Sequence, residues 1–99
     1  MNLQSIMAQA QKMQKDITKK KQQIDEAEFE GTSEWVKVKF KGDKNLVSLK
    51  IIKEGTIEED DKEILEDMIN IAISDAFAKI DKEINDKLGV YSQGLNGLF

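Results

Sequence analysis

The chain of 99 residues contains no cysteine, histidine, proline or arginine. Without cysteine and histidine it lacks thiol nucleophiles, disulfide bonds and the ligands of the usual zinc and iron–sulfur sites. The absence of cysteine also fits a reducing cytoplasm. No apolar run approaches the ~20 residues that would span a membrane, and the polar N-terminal stretch is unlike a signal peptide. We therefore expect one cytoplasmic domain without a metal site or a membrane segment.

Motifs for catalysis and for small-molecule binding are missing as well. The sequence has no glycine-rich phosphate loop, no dinucleotide-binding turn and no Ser/His/Asp arrangement. Its carboxylates belong to acidic helix faces, and a chain this short has little room for a substrate cleft. The sequence therefore predicts no enzymatic activity, no cofactor and no small-molecule substrate.

Charges of both signs are present but are unevenly distributed. The 15 lysines and 19 acidic residues give a net charge of −4. Residues 1–57 hold 11 lysines and 8 acidic residues, a balance of +3, whereas residues 58–99 hold 4 lysines and 11 acidic residues, a balance of −7. If the protein binds an anionic partner, the N-terminal half is therefore the better candidate for the binding surface.

Residues 3 to about 27 are predicted to form a long helix, because they contain no glycine and are rich in Gln, Lys, Ala and Met. Apolar residues recur along it in steps of three and four, at Leu3, Ile6, Ala10, Met13, Ile17 and Ile24. Lys20 occupies the one polar place in this heptad pattern. The pattern predicts packing against another helix, either of the same chain or of a symmetry-related copy.

Lysines line up on the opposite face of this helix. Lys12, Lys15 and Lys19 follow each other at spacings of three and four residues, and Lys20 and Lys21 come next. A solvated helix face is the ordinary explanation of such a charge run. A row of ammonium groups along a phosphate backbone is the functional explanation, and both stay open at this point.

An antiparallel sheet is predicted in the middle of the chain. Residues 29–32 fit a short first strand, residues 34–41 alternate between apolar and polar, and residues 46–52 return after a Gly-Asp-Lys-Asn turn. The face expected to be buried comprises Val36, Val38, Phe40, Val47, Leu49 and Ile51. The other face carries Lys37, Lys39, Lys41 and Lys50. These lysines either bind nucleic acid or protect the sheet from aggregation.

Residues 60–88 are predicted to form a second long helix that ends before Gly89. Asp60 or Asp61 is expected to be its N-cap, and Asp60 and Glu63 make an approximate capping box. Its apolar residues form two stripes rotated by roughly a quarter-turn, which is too broad for a surface helix of a small monomer. A partner subunit is therefore expected. The residues assigned to the dimer interface are Ile64, Met68, Ile69, Ala72 and Ile73.

Several segments of the chain resemble the YbaB/EbfC family of bacterial nucleoid-associated proteins. In chain order, they are residues 8–14 (AQAQKMQ), 29–31 (FEG), 36–42 (VKVKFKG), 65–69 (LEDMI), 75–76 (DA) and the tail glycine at 94. The AQAQKMQ and LEDMI segments together are the most specific. The resemblance spans essentially the whole chain in the order of the family.

The resemblance implies an α+β fold of order αβββα, with a long N-terminal helix, a three-stranded antiparallel sheet and a long C-terminal helix. It also implies an intertwined homodimer with projecting helices. One domain is expected over residues 1–89, followed by a flexible glycine-containing tail over residues 90–99. The DNA-binding surface of the family is attributed to the projecting helices. Carried onto this chain, it comprises Lys12, Lys15, Lys19 and Lys20, with Lys79 and Lys82 as weaker members.

Two functions follow as hypotheses. The first is a homodimeric nucleoid-associated protein that contacts duplex DNA mainly through phosphates and affects nucleoid organisation and gene expression. Little sequence specificity is expected, because the chain has no arginine for bidentate recognition of guanine. The alternative is a protein-interaction dimer that acts with replication or repair proteins without binding DNA directly, which the acidic C-terminal half favours.

Overall fold

The computed structural model describes residues 2–90, which form two long helices and a three-stranded sheet. In chain order, the elements are α1 (Leu3–Glu26), β1 (Glu28–Thr32), β2 (Val36–Lys41), β3 (Leu46–Ile51) and α2 (Lys62–Leu88). This αβββα order confirms the α+β fold predicted from the sequence. The predicted tail over residues 90–99 lies outside the described residues from position 91 onward.

The sheet is antiparallel, with the strands in the order β1-β2-β3. The chain turns between β2 and β3 at the predicted place. Lys44 adopts a left-handed backbone conformation there, with a φ of 69°. The Asp43 carboxylate accepts a hydrogen bond from the backbone amide of Asn45 at 2.9 Å. These local features are typical of tight turns and explain why the polar sequence reverses the chain here.

The main core lies between α2 and the first two strands. Its buried side chains are Val36, Val38, Phe40, Ala72, Ala76 and Ile80. Helix and strand come unusually close at Gly31, where a Cβ atom would lie 2.0 Å from the backbone oxygen of Ala72 and 2.5 Å from the backbone nitrogen of Ala76. The packing of α2 on β1 therefore requires a glycine at this position.

α2 runs antiparallel to β1, and two polar contacts fix this direction. The Thr32 amide donates a hydrogen bond to the Asp75 carboxylate at 3.0 Å. One helical turn later, the Lys79 ammonium donates to the backbone oxygen of Glu30 at 2.8 Å. Because β1 follows α1 in the chain, α2 then continues beside the C-terminal half of α1.

A second, smaller buried cluster attaches α1 to the rest of the chain. It consists of Ile17 and Ile24 from α1 and Leu88 from the end of α2. Residues 3–16 are exposed and project beyond this cluster, over about 21 Å at 1.5 Å per residue. We call residues 3–16 the arm. The arm contributes to the elongated shape of the molecule, which measures 70 × 20 × 15 Å.

The third strand departs from the sequence-based expectation that its apolar face is buried. Leu49 and Ile51 pair with the buried residues of β2 across the sheet, yet they are 38% and 50% exposed. The register shift next to Phe40 leaves Val47 as an extra residue in a bulge. The physical reason for the exposure is that α2 crosses β1 and β2, so one chain covers only part of its own hairpin.

The start of α2 also differs from the predicted capping box at Asp60 and Glu63. A short 3-10 turn over Glu59–Asp61 precedes the helix. The Asp61 carboxylate accepts a hydrogen bond from the backbone amide of Glu58 at 3.0 Å. The reciprocal capping contacts therefore join Glu58 and Asp61, two residues earlier than the predicted pair, and they close the 3-10 turn. Asp61, one of the two expected N-cap residues, is the N-cap of α2.

Candidate nucleic-acid interface

Three lysines of the arm and its base form the most accessible cationic surface on α1. Lys12, Lys15 and Lys19 are exposed. Within residues 2–90, none of the three forms an ion pair with an acidic residue. They lie along one helix face and span about 10 Å, over which duplex DNA presents about six phosphates on its two strands. We call these three residues the lysine row.

The lysine row lies on α1, whose own residues favour helix formation. The Asn2 side chain accepts a hydrogen bond from the Gln4 amide at 3.0 Å and caps the helix. The residues that follow are mostly Gln, Lys, Ala and Met, which lose little side-chain freedom in a helix. The ammonium groups of the row are therefore held in line by the backbone, while their long side chains stay free to adjust to phosphates.

Lys20 belongs to the predicted DNA-binding set but has a different environment. Its side chain is half-buried, unlike those of the lysine row. On a regular helix it lies about 100° around the axis from the centre of the row. Its position falls in the heptad pattern between Ile17 and Ile24, the two residues that pack on α2. The row therefore consists of three aligned lysines, with Lys20 to one side.

The two weaker members of the predicted set are engaged in contacts within the chain. Lys79 lies 3.6 Å from the Asp75 carboxylate and also donates to the Glu30 backbone oxygen. Lys82 donates to the Asp86 carboxylate at 2.8 Å, and this hydrogen bond raises the pKa of Lys82 above its ordinary value. Both lysines have an acidic neighbour, so their net attraction for a polyanion is smaller than that of the lysine row.

The lysines on the outer face of the sheet are partly neutralised by glutamates of β1. Lys37 lies 3.6 Å from the Glu30 carboxylate, and Lys39 lies 3.5 Å from that of Glu28. The two lysines of this face that have no ion pair within the described part of the chain are Lys41 and Lys50. Cross-strand pairs of opposite charge stabilise a sheet, so this face has a structural role that does not require a ligand.

The residues predicted for the dimer interface have different environments in the single chain. Ile64 is 44% exposed, and Met68, Ile69 and Ile73 are half-buried at the edge of the main core. Ala72 is completely covered within the chain, where it lies against Gly31. No part of the Ala72 side chain is left to contact a partner.

Sequence reasoning missed an exposed apolar surface on β3. It comprises Leu46, Leu49 and Ile51, and each of these side chains is between 38% and 56% exposed. Leu49 is paired with Val38, which lies beneath α2. The β3 residues therefore lie on the same side of the sheet as α2. We call these three residues the apolar face.

Other kinds of site are not seen in the described part of the chain. Among residues 2–90, no three acidic side chains are grouped closely enough to hold a metal ion. Neither α1 nor α2 has a stretch long and apolar enough to cross a membrane.

The fold and the lysine row together define a small α+β protein with a cationic helical arm. The chain belongs to the YbaB/EbfC DNA-binding family, whose sequence profile matches residues 1–95. This match confirms the resemblance noted in the sequence. Proteins of this family are nucleoid-associated DNA-binding proteins rather than enzymes.

Individual relatives are similar over nearly their whole lengths. A nucleoid-associated protein of Ligilactobacillus salivarius is 40% identical over 99% of this chain and 95% of its own length. One from Enterococcus faecalis is 40% identical over 97% of this chain and 93% of its own length. One from Lactococcus lactis is 42% identical over 96% of this chain and 97% of its own length.

Proposed function

We propose that this protein is a homodimer of the bacterial cytoplasm and nucleoid that binds duplex DNA through its phosphates, with little sequence specificity. In this role it organises the nucleoid and thereby affects gene expression. The observation that carries the proposal is the lysine row, Lys12, Lys15 and Lys19, which is exposed and free of acidic partners within residues 2–90. The names of the relatives and of the family support DNA as the partner.

The chemistry of lysine favours contacts with phosphates over recognition of bases. An ammonium group is a compact point charge on a flexible stem, whereas the bidentate recognition of guanine uses the planar fork of arginine. The chain contains no arginine. Phosphate contacts position a protein on DNA but carry no sequence information directly. The proposed complex is therefore tolerant of DNA sequence and sensitive to salt.

The proposed dimer interface is the apolar face. Its members are Leu46 at 56%, Leu49 at 38% and Ile51 at 50% exposure. Adjacent apolar side chains exposed in this way are unusual for a small monomer and mark an interaction surface. A twofold interface through this face would bring two lysine rows into one particle, so that six ammonium groups act together.

An aspartate in the apolar face is expected to dissociate the dimer. In Leu49→Asp, the new carboxylate would be buried without a partner, which costs about 3 kcal/mol and raises the dimer dissociation constant roughly 100-fold. The chain itself stays folded, because Leu49 is already accessible within one protomer. Sedimentation equilibrium at micromolar protein should show half the mass of the unmodified protein.

Ser48→Asp is the matched control for this experiment. Ser48 is the neighbour of Leu49 on β3, and its side chain points to the opposite face of the sheet. The control variant should keep the dimer mass. Equal masses for Leu49→Asp and Ser48→Asp would show that the apolar face is not the interface.

A mobility-shift titration tests the proposed DNA binding. Two duplexes of unrelated sequence and equal length should both be shifted, with dissociation constants within about threefold of each other and in the range of roughly 10⁻⁶ to 10⁻⁴ M at physiological salt. A strong preference for one duplex would contradict the lack of specificity. The absence of a shift even at low salt would favour the protein-interaction dimer instead.

A further inference from the structure

The outer face of the sheet, which points away from α2, has a shallow recess over β2 and β3. Its volume is about 260 Å³, and the polar side chains that line it are Glu30, Lys37, Lys39, Ser48 and Lys50. The strand register places Lys50 opposite Lys37 and Ser48 opposite Lys39. Cross-strand neighbours of this kind have Cβ atoms about 5 Å apart. Three ammonium groups and one hydroxyl group therefore share a small surface, which we call the sheet recess.

The charges of the sheet recess are not balanced within the described part of the chain. The Glu30 carboxylate lies 3.6 Å from the Lys37 ammonium and 3.9 Å from that of Lys39. Glu28 approaches Lys39 alone, at 3.5 Å. Two carboxylates therefore serve these two lysines, and Lys50 has no ion pair within residues 2–90. One positive charge is left over at the side of the recess that β3 forms.

The position of Lys50 opposite Lys37 is unfavourable for the sheet itself. Like charges directly opposite each other on neighbouring strands destabilise their pairing. Protection of an edge strand against aggregation explains why β3 has a charge on this face. A glutamate at position 50 would also provide a charge, and it would attract Lys37 instead of repelling it. The choice of lysine therefore suits the binding of an anion better than the stability of the unoccupied sheet.

We propose that the sheet recess binds a phosphate group between Lys37 and Lys50, with the Ser48 hydroxyl as a neutral donor. Hydrogen bonds from ammonium groups to phosphate oxygens are charge-assisted and therefore strong. A bound phosphate would also remove the repulsion between the two lysines. The volume of about 260 Å³ is several times the ~30 Å³ share of one water molecule, so a phosphate group has room to enter.

The phosphate belongs either to a DNA backbone or to a free phosphorylated compound, because both present the same oxygen atoms. The sheet recess lies on β2 and β3, whereas the lysine row lies on α1. The two surfaces share no residue. The inference therefore does not depend on DNA binding by the lysine row.

A titration with pyrophosphate tests the site without DNA. Amide NMR signals are followed residue by residue, and chloride keeps the ionic strength constant. The signals of Lys37, Ser48 and Lys50 should shift and saturate, with half-saturation on the order of 1 mM, the strength of about two charge-assisted hydrogen bonds. Signals of α1 report separately on the lysine row, so this inference and the proposed function can fail independently. Shifts that grow linearly without saturation would overturn the inference.

Lys50→Gln and Lys41→Gln form a matched pair for the same titration. Both lysines are exposed on the outer face of the sheet and have no ion pair within the described residues. Both changes remove one charge, but only Lys50 lines the recess. Pyrophosphate binding at the recess should weaken at least about fivefold in Lys50→Gln and less than about twofold in Lys41→Gln. Equal losses would mean that general charge attraction, and not the recess, holds the anion.

Mobility shifts of the same two variants identify the source of the phosphate. A loss of duplex affinity at least about threefold larger for Lys50→Gln than for Lys41→Gln would assign the recess to the DNA backbone. Equal duplex affinities, together with selective loss of pyrophosphate binding in Lys50→Gln, would assign it to a free phosphorylated compound. Both results support a phosphate site on the sheet.

Discussion

Reversal of the lysine row is expected to lower DNA affinity by at least about 100-fold at low salt. The triple variant Lys12→Glu, Lys15→Glu, Lys19→Glu replaces six attractive charges of the proposed dimer with six repulsive ones, and phosphate contacts dominate non-specific binding. The helix should persist, because glutamate and lysine have similar helix propensities and the three side chains are exposed. The measurement is a mobility-shift titration, accompanied by circular dichroism.

The matched control reverses three lysines that are paired with acidic residues on α2 or at its start. These are Lys62, Lys82 and Lys87. The control has the same net charge as the first variant, so it corrects for the general repulsion of a more acidic protein. We expect a loss of only about threefold to fivefold for it, since distant surface charges are screened. Equal losses for the two triple variants would mean that the lysine row is not the binding surface.

Gly31→Ala is expected to destabilise the fold strongly, although it adds only one methyl group. The new Cβ would lie 2.0 Å from the Ala72 oxygen and 2.5 Å from the Ala76 nitrogen. Both are backbone atoms, so α2 as a whole must shift away from β1. The expected loss in the free energy of unfolding is about 3 kcal/mol, a large part of the ~5–15 kcal/mol available to a small domain.

Gly89→Ala serves as the control for this substitution. Gly89 has a right-handed backbone conformation with a φ of −60°. The nearest atom to its Cβ would be the Asn85 side-chain oxygen at 3.1 Å, which can move aside. We expect no loss, or a gain of up to about 1 kcal/mol from reduced freedom of the unfolded chain. Urea unfolding midpoints measure both variants, and similar midpoints would contradict the close packing at Gly31.

Local patterns in the sequence predicted most of the fold, because each element carries its own signal. The helix formers before Glu26, the alternation from Val36 to Phe40 and the turn residues around Lys44 each specify a structure over a few positions. The capping box before α2 was misplaced by two residues, since a run of adjacent acidic residues offers several equivalent caps. The family resemblance supplied the order of the elements, and the structure agrees with it.

Which side chains of the sheet are buried could not be predicted from the sequence, because this depends on which strands α2 crosses. Leu49 and Val38 have the same alternating pattern in the sequence, yet α2 covers Val38 completely and leaves Leu49 accessible. The close contact at Gly31 has the same origin, since a glycine in a strand carries no sign of which helix approaches it. The position of α2 in the folded chain determines both the burial of the sheet residues and the close contact at Gly31.

The candidate DNA site was predicted in part. The spacing of Lys12, Lys15 and Lys19 was sufficient to place them on one helix face. Spacing alone could not distinguish them from Lys79. The Lys79 ammonium donates a hydrogen bond to the backbone oxygen of Glu30, which is 49 residues away in the sequence. Contacts between distant parts of the chain determine which lysines stay available to a polyanion.

The salt dependence of DNA binding tests the central claim most directly. Six lysines of a dimer on six phosphates predict a straight line of log K against log salt concentration, with a slope of about −5. The measurement is a mobility-shift titration on one duplex, long enough to reach both lysine rows, at several salt concentrations between about 50 and about 200 mM. A slope of about −5 would support phosphate binding by the paired lysine rows. A slope close to zero, or no binding at the lowest salt, would contradict it.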